Sequence, residues 1–420
     1  MRLSTPVWVV SVSTIAASVG GQFYGFNLSG YAWSIALIIS GYFLLVERGR
    51  IGFPILIWIP WTLVILGWLA VTPFVNSLQR SLMMLCPLFV GAAISQYPAG
   101  KEVLEEFGRL CRLMATGLML YVGVRTGLFL TGELPSTSNL AAPSMTGALL
   151  ASVFVAAWVY GERRALMWWC ALFLVPIIGV TRTGIVATGL SLPLTLAPLR
   201  LGKRIALAVL IAAVGVAVFS SERVQRKMFY SGKGTYEDLR LDNTNLATFG
   251  RAALWELMEL EIARKPIFGH GANASEVFVR KMTGGNLEHP HNDWLRLRFD
   301  YGWFGTVVFA LSCLAQIVHA LWRGRGSPVE GRVLLAAGAS AFVLQAMFMV
   351  TDNIILYPAF FGNLHFAILG LAYARTPTPP TPPPTAAQPE QVEPERAAGV
   401  LRRRPGRRQR SASSRQRGLT

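Results

Sequence analysis

About twelve apolar runs, each near the ~20 residues that cross a bilayer as a helix, dominate this sequence and leave few folds open to it. They cover 7–26, 31–46, 53–71, 82–97, 113–130, 145–160, 166–180, 185–199, 205–219, 304–321, 333–350 and 354–373. None shows the period-two alternation of a barrel strand, so an all-α integral membrane fold is expected, in which each spanning backbone satisfies its own hydrogen bonds. With 53% hydrophobic and 15% charged residues, the chain has more apolar surface than a soluble core could hide. Only Arg2 precedes the first run and no small-residue cleavage site follows it, so it reads as a retained span rather than a signal peptide.

Lys and Arg set the expected orientation. With the N-terminus in the cytoplasm, the inner loops hold Arg48 and Arg50, Lys101 and Arg109, Arg163 and Arg164, Arg200, Lys203 and Arg204, and Arg323, Arg325 and Arg332. The short outer loops hold little beyond Arg80 and Arg182. The chain then divides into residues 1–219 with helices one to nine, a large polar outer loop at 220–303, the last three helices at 304–374, and a tail at 375–420. That tail is rich in Thr, Pro and Arg and reads as a disordered cytoplasmic segment. Much of the formal charge of +17 lies there, and contact with anionic lipid head groups explains it better than nucleic-acid binding. The four cysteines lie in or beside apolar runs, without metal spacing or a disulfide framework. No phosphate-binding Gly-rich loop and no H-E-x-x-H occurs, so neither ATP use nor zinc peptidase chemistry is indicated.

Polar residues gather at three outer-face positions. Thr181-Arg182-Thr183-Gly184 puts a permanent charge in a turn too short to leave the membrane surface. Arg182 is either a snorkelling residue at a helix end or an anion site whose guanidinium fits a phosphate in bidentate fashion. Gly250-Arg251 opens a helix with Arg251, Trp255, Met258 and Ile262 on one face, fit to lie along the membrane interface or to pack on the bundle. The third is Glu288-His289-Pro290-His291-Asn292-Asp293, whose histidines are either merely solvated, functional, or, with Glu288 and Asp293, ligands to a metal. No further ligand cluster supports the metal reading.

These motifs resemble those of the O-antigen ligase and polymerase superfamily of bacterial membrane glycosyltransferases. His291-Asn292, nine residues, then Gly302-Trp303-Phe304-Gly305 is similar to that family's His-Asn and Gly-x-x-Gly spacing. Gly250-Arg251, Trp255 and Pro266-Ile267-Phe268-Gly269-His270-Gly271 follow its Gly-Arg, Trp, Pro-x-x-Gly-x-Gly order, and Thr181 to Gly184 matches its outer-face arginine turn. The likeness runs from about Val175 to Tyr373 and leaves out the tail.

The resemblance implies a multi-pass protein of the bacterial inner membrane with a fold like that of other multi-spanning, lipid-donor (GT-C) glycosyltransferases. It also implies transfer of a glycan from a polyprenyl diphosphate carrier to a hydroxyl at the periplasmic face. The acceptor is lipid A core for a ligase, or a growing glycan for an O-antigen or exopolysaccharide polymerase; a lipid-linked glycan transporter is the third alternative. His291 would be the general base, and Arg182 and Arg251 would hold the diphosphate, with no cofactor, nucleotide or metal. Supporting roles are expected for Arg125, an intramembrane charge, and for Asn292. Arg296, with Arg298, either adds phosphate contacts or marks the membrane boundary. Asp352 either orients His291 or caps a helix.

Overall fold

A computed structural model of the chain describes residues 3–20, 22–23, 26–47, 49–133, 140–235, 237–239 and 251–376. Residues up to Pro377 form one compact unit. The tail beyond Thr376, with Gly250, lies outside the described residues. The fold is helical, apart from a ladder of two-residue strands at Gln22–Phe23 and Phe26–Asn27.

In chain order the helices are α1 (Thr5–Val19), α2 (Leu28–Val46), α3 (Ile59–Val71), α4 (Ser77–Ser95), α5 (Lys101–Leu130), α6 (Ala141–Val159), α7 (Ala165–Gly179) and α8 (Arg182–Leu190). There follow α9 (Leu201–Phe219), α10 (Glu222–Met228), α11 (Arg251–Ile262), α12 (Ala274–Met282), α13 (Asp293–Gly324), α14 (Val329–Phe348) and α15 (Gly362–Tyr373). Six of them, α4, α5, α6, α9, α13 and α14, are long and apolar enough to cross a membrane, and four shorter apolar helical stretches join them. Every expected run contains a helix, yet the first ends at Val19 rather than 26, and those at 185–199 and 354–373 are also much shorter than expected.

Proline accounts for the last two. The run expected at 185–199 stops as α8 at Leu190, ahead of Pro193, because a proline ring clashes with a helical residue before it. The irregular chain that continues it has its polar groups satisfied. Arg204 donates to the carbonyls of Leu199, Pro193 and Ala197 at 3.1, 2.9 and 2.9 Å, and Leu196 N–H donates to Ser340 Oγ at 2.8 Å. Buried non-helical backbone is tolerated only when its polar groups are bonded in this way. In the same manner Pro358 precedes α15, which starts at Gly362 rather than 354. In contrast, α5 starts twelve residues earlier than expected, since its first turns are amphipathic rather than apolar.

Small residues set the packing, as they do where lipid removes most of the hydrophobic drive between helices. Helix α6 is buried from Pro143 to Ala157 between α7 and α14, and Gly370 of α15 meets the backbone of α4 at Gly91. Helix α9 buries no residue and stands at the rim. Lys101–Glu330 (3.8 Å), Arg112–Glu162 (3.1 Å) and Ala99 N–H to Arg375 O (2.8 Å) join the turns at one end of the bundle. Arg80–Glu276 (2.9 Å), Asn273 Nδ2 to Val75 O (2.8 Å) and Lys227 Nζ to Gly179 O (3.2 Å) join those at the other, which carries the polar loop. That sorting is the alternation of loops expected from the charges.

The loop rests on a break in α13. Gly302 has φ 65 and ψ −170, leaving 293–301 as a loop helix and the apolar stretch beyond as the membrane part. Pro266-Ile267-Phe268-Gly269 lies against the break: Trp303 N–H donates to Pro266 O (2.8 Å), Phe304 N–H to Ile267 O (2.9 Å), and His270 N–H to Phe299 O (2.9 Å). A Cβ on Gly302 would collide with the backbone of Ile267 and Gly269, and one on Gly269, at φ 74, with Asp300 and Gly302. The two glycine motifs are therefore one structural joint.

Gly302→Ala and Gly269→Ala should each lower stability by about 3 kcal/mol or more, since they add a clash to a strained backbone. Gly117→Ala, where a Cβ meets nothing within 4 Å, should be neutral or slightly stabilising. Thermal unfolding in detergent checks this, and an unaffected Gly302→Ala protein would contradict it.

Candidate active site

The loop helix of α13 begins with Asn292 as its N-cap, the side chain accepting from Leu295 N–H at 3.0 Å. Just before it, His291 takes a left-handed backbone at φ 52, which turns the chain sharply ahead of the helix. Neighbouring residues hold this turn on the 349–355 segment after α14. Asp293 N–H donates to Met349 O, its Oδ2 accepts from Ile355 N–H (both 2.8 Å), and Trp294 Nε1 donates to Ala346 O at 3.0 Å. Asp293 is fully buried, and burial pushes its carboxyl up to about 7, against a smaller downward pull from Arg296. The clamp sets His291 Nδ1 3.7 Å from Asp352 Oδ1 and 3.3 Å from Asn353 Nδ2.

Helix α11 approaches the same turn from the loop. Leu254, Met258 and Ile262 pack on α12 and α13, so the helix lies on the protein with its apolar face covered. Trp255 Nε1 donates to Pro290 O at 2.7 Å, bracing the residue before His291. Arg251, one turn earlier on the same face, is half-buried near Asp352; burial lowers its pKa and the carboxylate partly offsets that. Arg182 heads α8, and the adjacent Thr183 hydroxyl contacts that of Thr351, so the arginine turn abuts the Asp352 turn. Arg182 and Arg251 lie close enough to repel each other.

Four chain segments thus bring together His291, Asp352, Asn353, Arg251 and Arg182. A fifth, not anticipated from the sequence, is α10, whose Lys227 is half-buried. Its pKa is lowered by burial first, then by Arg182 and Arg223. The signal was present as Arg223, Arg226 and Lys227 just beyond the ninth apolar run, where the outer loop begins.

Other expected residues lie elsewhere. Arg296 is 1% exposed, 3.4 Å from Asp300 and donating to Asn273 Oδ1 at 2.9 Å, so it binds the loop together and is closed to a ligand from solvent. Arg298 makes two bonds to Glu259 (2.8 and 2.6 Å) and lies over the Trp303 ring. Arg125 donates to Tyr121 Oη at 3.3 Å near the loop end of α5. Asn292 is a cap. Among the described residues, no three His, Cys, Asp or Glu side chains gather as a metal would require.

His289 is not the solvated imidazole that its loop position suggests. It is buried beside the Tyr357 ring and 4.0 Å from Glu276, which Arg80 and Arg280 hold at 2.9 and 3.0 Å.

Residues 139–310 match the family model described as O-antigen ligase. Over that segment, under half of its length, the chain is similar to O-antigen ligases. No curated protein matches it. The ligase-family match runs from the start of α6 into the membrane part of α13 and includes Arg182, Arg251, His291, Gly302 and Gly305. Asp352 and Asn353 lie beyond the matched ligase segment, brought to it by the fold.

Burial, with Arg296 and Arg80 nearby, pushes His289 down from 6.5 to about 3. A depressed folded-state value means that its contribution is present above the unfolded pKa and is lost as pH falls from 6.5 toward 3. The stability advantage of wild type over His289→Gln should therefore shrink by about 2 kcal/mol between roughly pH 7 and pH 5. Thermal unfolding of both proteins at the two pH values measures it; a constant difference would show that folding leaves the His289 pKa where it is in the unfolded chain.

Proposed function

We propose that this protein is a ligase-type glycosyltransferase that moves a glycan from a polyprenyl diphosphate to an acceptor hydroxyl, that of lipid A core, at the periplasmic face of the bacterial inner membrane. One observation carries the reading: His291, backed by Asp352, stands in the same patch as two half-buried arginines. Such a patch supplies both needs of the reaction, a base for a weak nucleophile and fixed positive charge for a departing diphosphate.

In the proposed step the acceptor hydroxyl gives its proton to His291 while its oxygen bonds to the anomeric carbon. The bond from that carbon to the diphosphate oxygen breaks, and the electron pair leaves with the diphosphate. Arg182 and Arg251 meet the charge that grows there, a task that two guanidinium groups perform without a divalent cation. Asp352, 3.7 Å from Nδ1, stabilises the imidazolium that forms. Attack opposite the leaving group inverts the anomeric centre.

About twelve crossings fit this reading, with α8 and its irregular continuation to Arg200 forming one and the 354–361 segment with α15 another. The Arg- and Lys-rich turns at the end away from the loop would then face the cytoplasm. A polymerase would share the site and differ in its acceptor. Gene deletion separates them: a lost ligase leaves long carrier-linked polymer and bare core, a lost polymerase single repeat units.

With purified donor and acceptor, His291→Ala should lower the rate by roughly two to four orders of magnitude while keeping donor binding. Arg182→Lys and Arg251→Lys should bind donor poorly, since an ammonium lacks the bidentate fork. Asp352→Asn should cost about one to two orders of magnitude, and a chelator nothing. A His291→Ala enzyme of near-normal rate would defeat the mechanism.

A further inference from the structure

Helix α10 adds positive charge where the family motifs place none. Glu222 and Arg226 pair with each other on its outer side. Arg223 and Lys227, also four residues apart, share another face, where like charges at this spacing oppose helix formation. Arg223 lies over the Phe129 ring at the loop end of α5. Lys227 reaches further in and donates to the carbonyl of Gly179, the last residue of α7 and three before Arg182. Arg223 and Lys227, together with the paired Glu222 and Arg226, line an open cavity of about 340 Å³.

Capping α7 explains the bond to Gly179, since a cation suits the carbonyl end of a helix. It does not explain the neighbours. Among the described residues, the charged groups that act on the half-buried ammonium are Arg182 and Arg223, both cations, and an anion of more than one charge would stabilise such an arrangement.

We propose that Lys227 is a third cation of the anion site, set to hold the second phosphate of a diphosphate and so to make the site prefer a diphosphate to a monophosphate. This rests on the lipid-diphosphate donor proposed above. Arg182 and Arg251 take the phosphate nearer His291, and Lys227, entering along α10 from the rim helix α9, takes the one nearer the lipid. The preference matters after transfer as well as before it. The product is itself a carrier diphosphate, whereas a carrier monophosphate in the same membrane would not occupy the site.

The test compares binding of undecaprenyl diphosphate and undecaprenyl phosphate to the full-length protein in nanodiscs, by native mass spectrometry. Wild type should prefer the diphosphate. Lys227→Gln, which keeps a donor for Gly179 but no charge, should lose about tenfold in diphosphate affinity and leave the monophosphate unchanged. Lys227→Arg, which keeps the charge, should retain most of the preference, and Arg264→Met, removing a distant exposed charge of the loop, should retain all of it. An undiminished preference in Lys227→Gln, or an equal loss for both lipids, would overturn the assignment while leaving the donor reading intact. A wild-type protein with no preference would overturn both.

Discussion

The contact of Gly269 with Gly302 is the constraint on which the loop end depends. Backbone meets backbone there with no room for a side chain, which breaks α13 and lets its first eight or so residues fold over the bundle instead of extending above it. Only then do Asp293 and Trp294 reach the turn after α14, and only then does His291 meet Asp352 and Asn353. Gly305 and Gly271 belong to the same close packing: a Cβ on Gly305 would overlap Tyr301, and one on Gly271 would overlap Thr72. The joint thus connects the loop to α3 as well as to α13. The two glycine motifs are here a hinge fixed in one position.

Charge organises what the joint positions, in two ways. Away from the candidate site, opposite charges are buried in pairs: Arg80 with Glu276 joins α4 to α12, and Arg296, paired with Asp300 within α13, reaches Asn273 at the head of α12. Such pairs add little net stability but are costly to break, so they favour a single arrangement. At the site the balance changes. Arg182, Arg251 and Lys227 crowd together half-buried, and Asp352 offsets part of the cost for Arg251. Like charges held close by one frame would suit a polyanion, the use proposed for them above.

Much of this was legible in the sequence, because hydrophobic length and motif order are local properties. The apolar runs fall on all six described helices long and apolar enough to cross a membrane, and the spacing from His291 to Gly302 and Gly305 picked out the histidine that reaches Asp352. The misses are cases where a distant residue decides. Nothing near His289 in the chain reveals that Glu276 and Tyr357 enclose it, nor that Arg296 is sealed against Asp300 and Asn273. Lys227 carries no motif, and it joins the site because the end of α7 lies beneath it. Pro193 and Pro358 did stand in the apolar runs that they shorten; hydrophobicity alone hid their effect on α8 and α15.

The central claim is that one patch at the loop end holds the diphosphate and presents its sugar carbon to His291. Its most direct test is a cryo-EM structure of the protein in a lipid nanodisc with a bound polyprenyl diphosphate. The account predicts phosphate oxygens within hydrogen-bond distance of both Arg182 and Arg251, with the His291 ring facing the terminal phosphate across a space for the acceptor. A diphosphate seated at the opposite end of the bundle, or on the loop out of reach of His291, would contradict it.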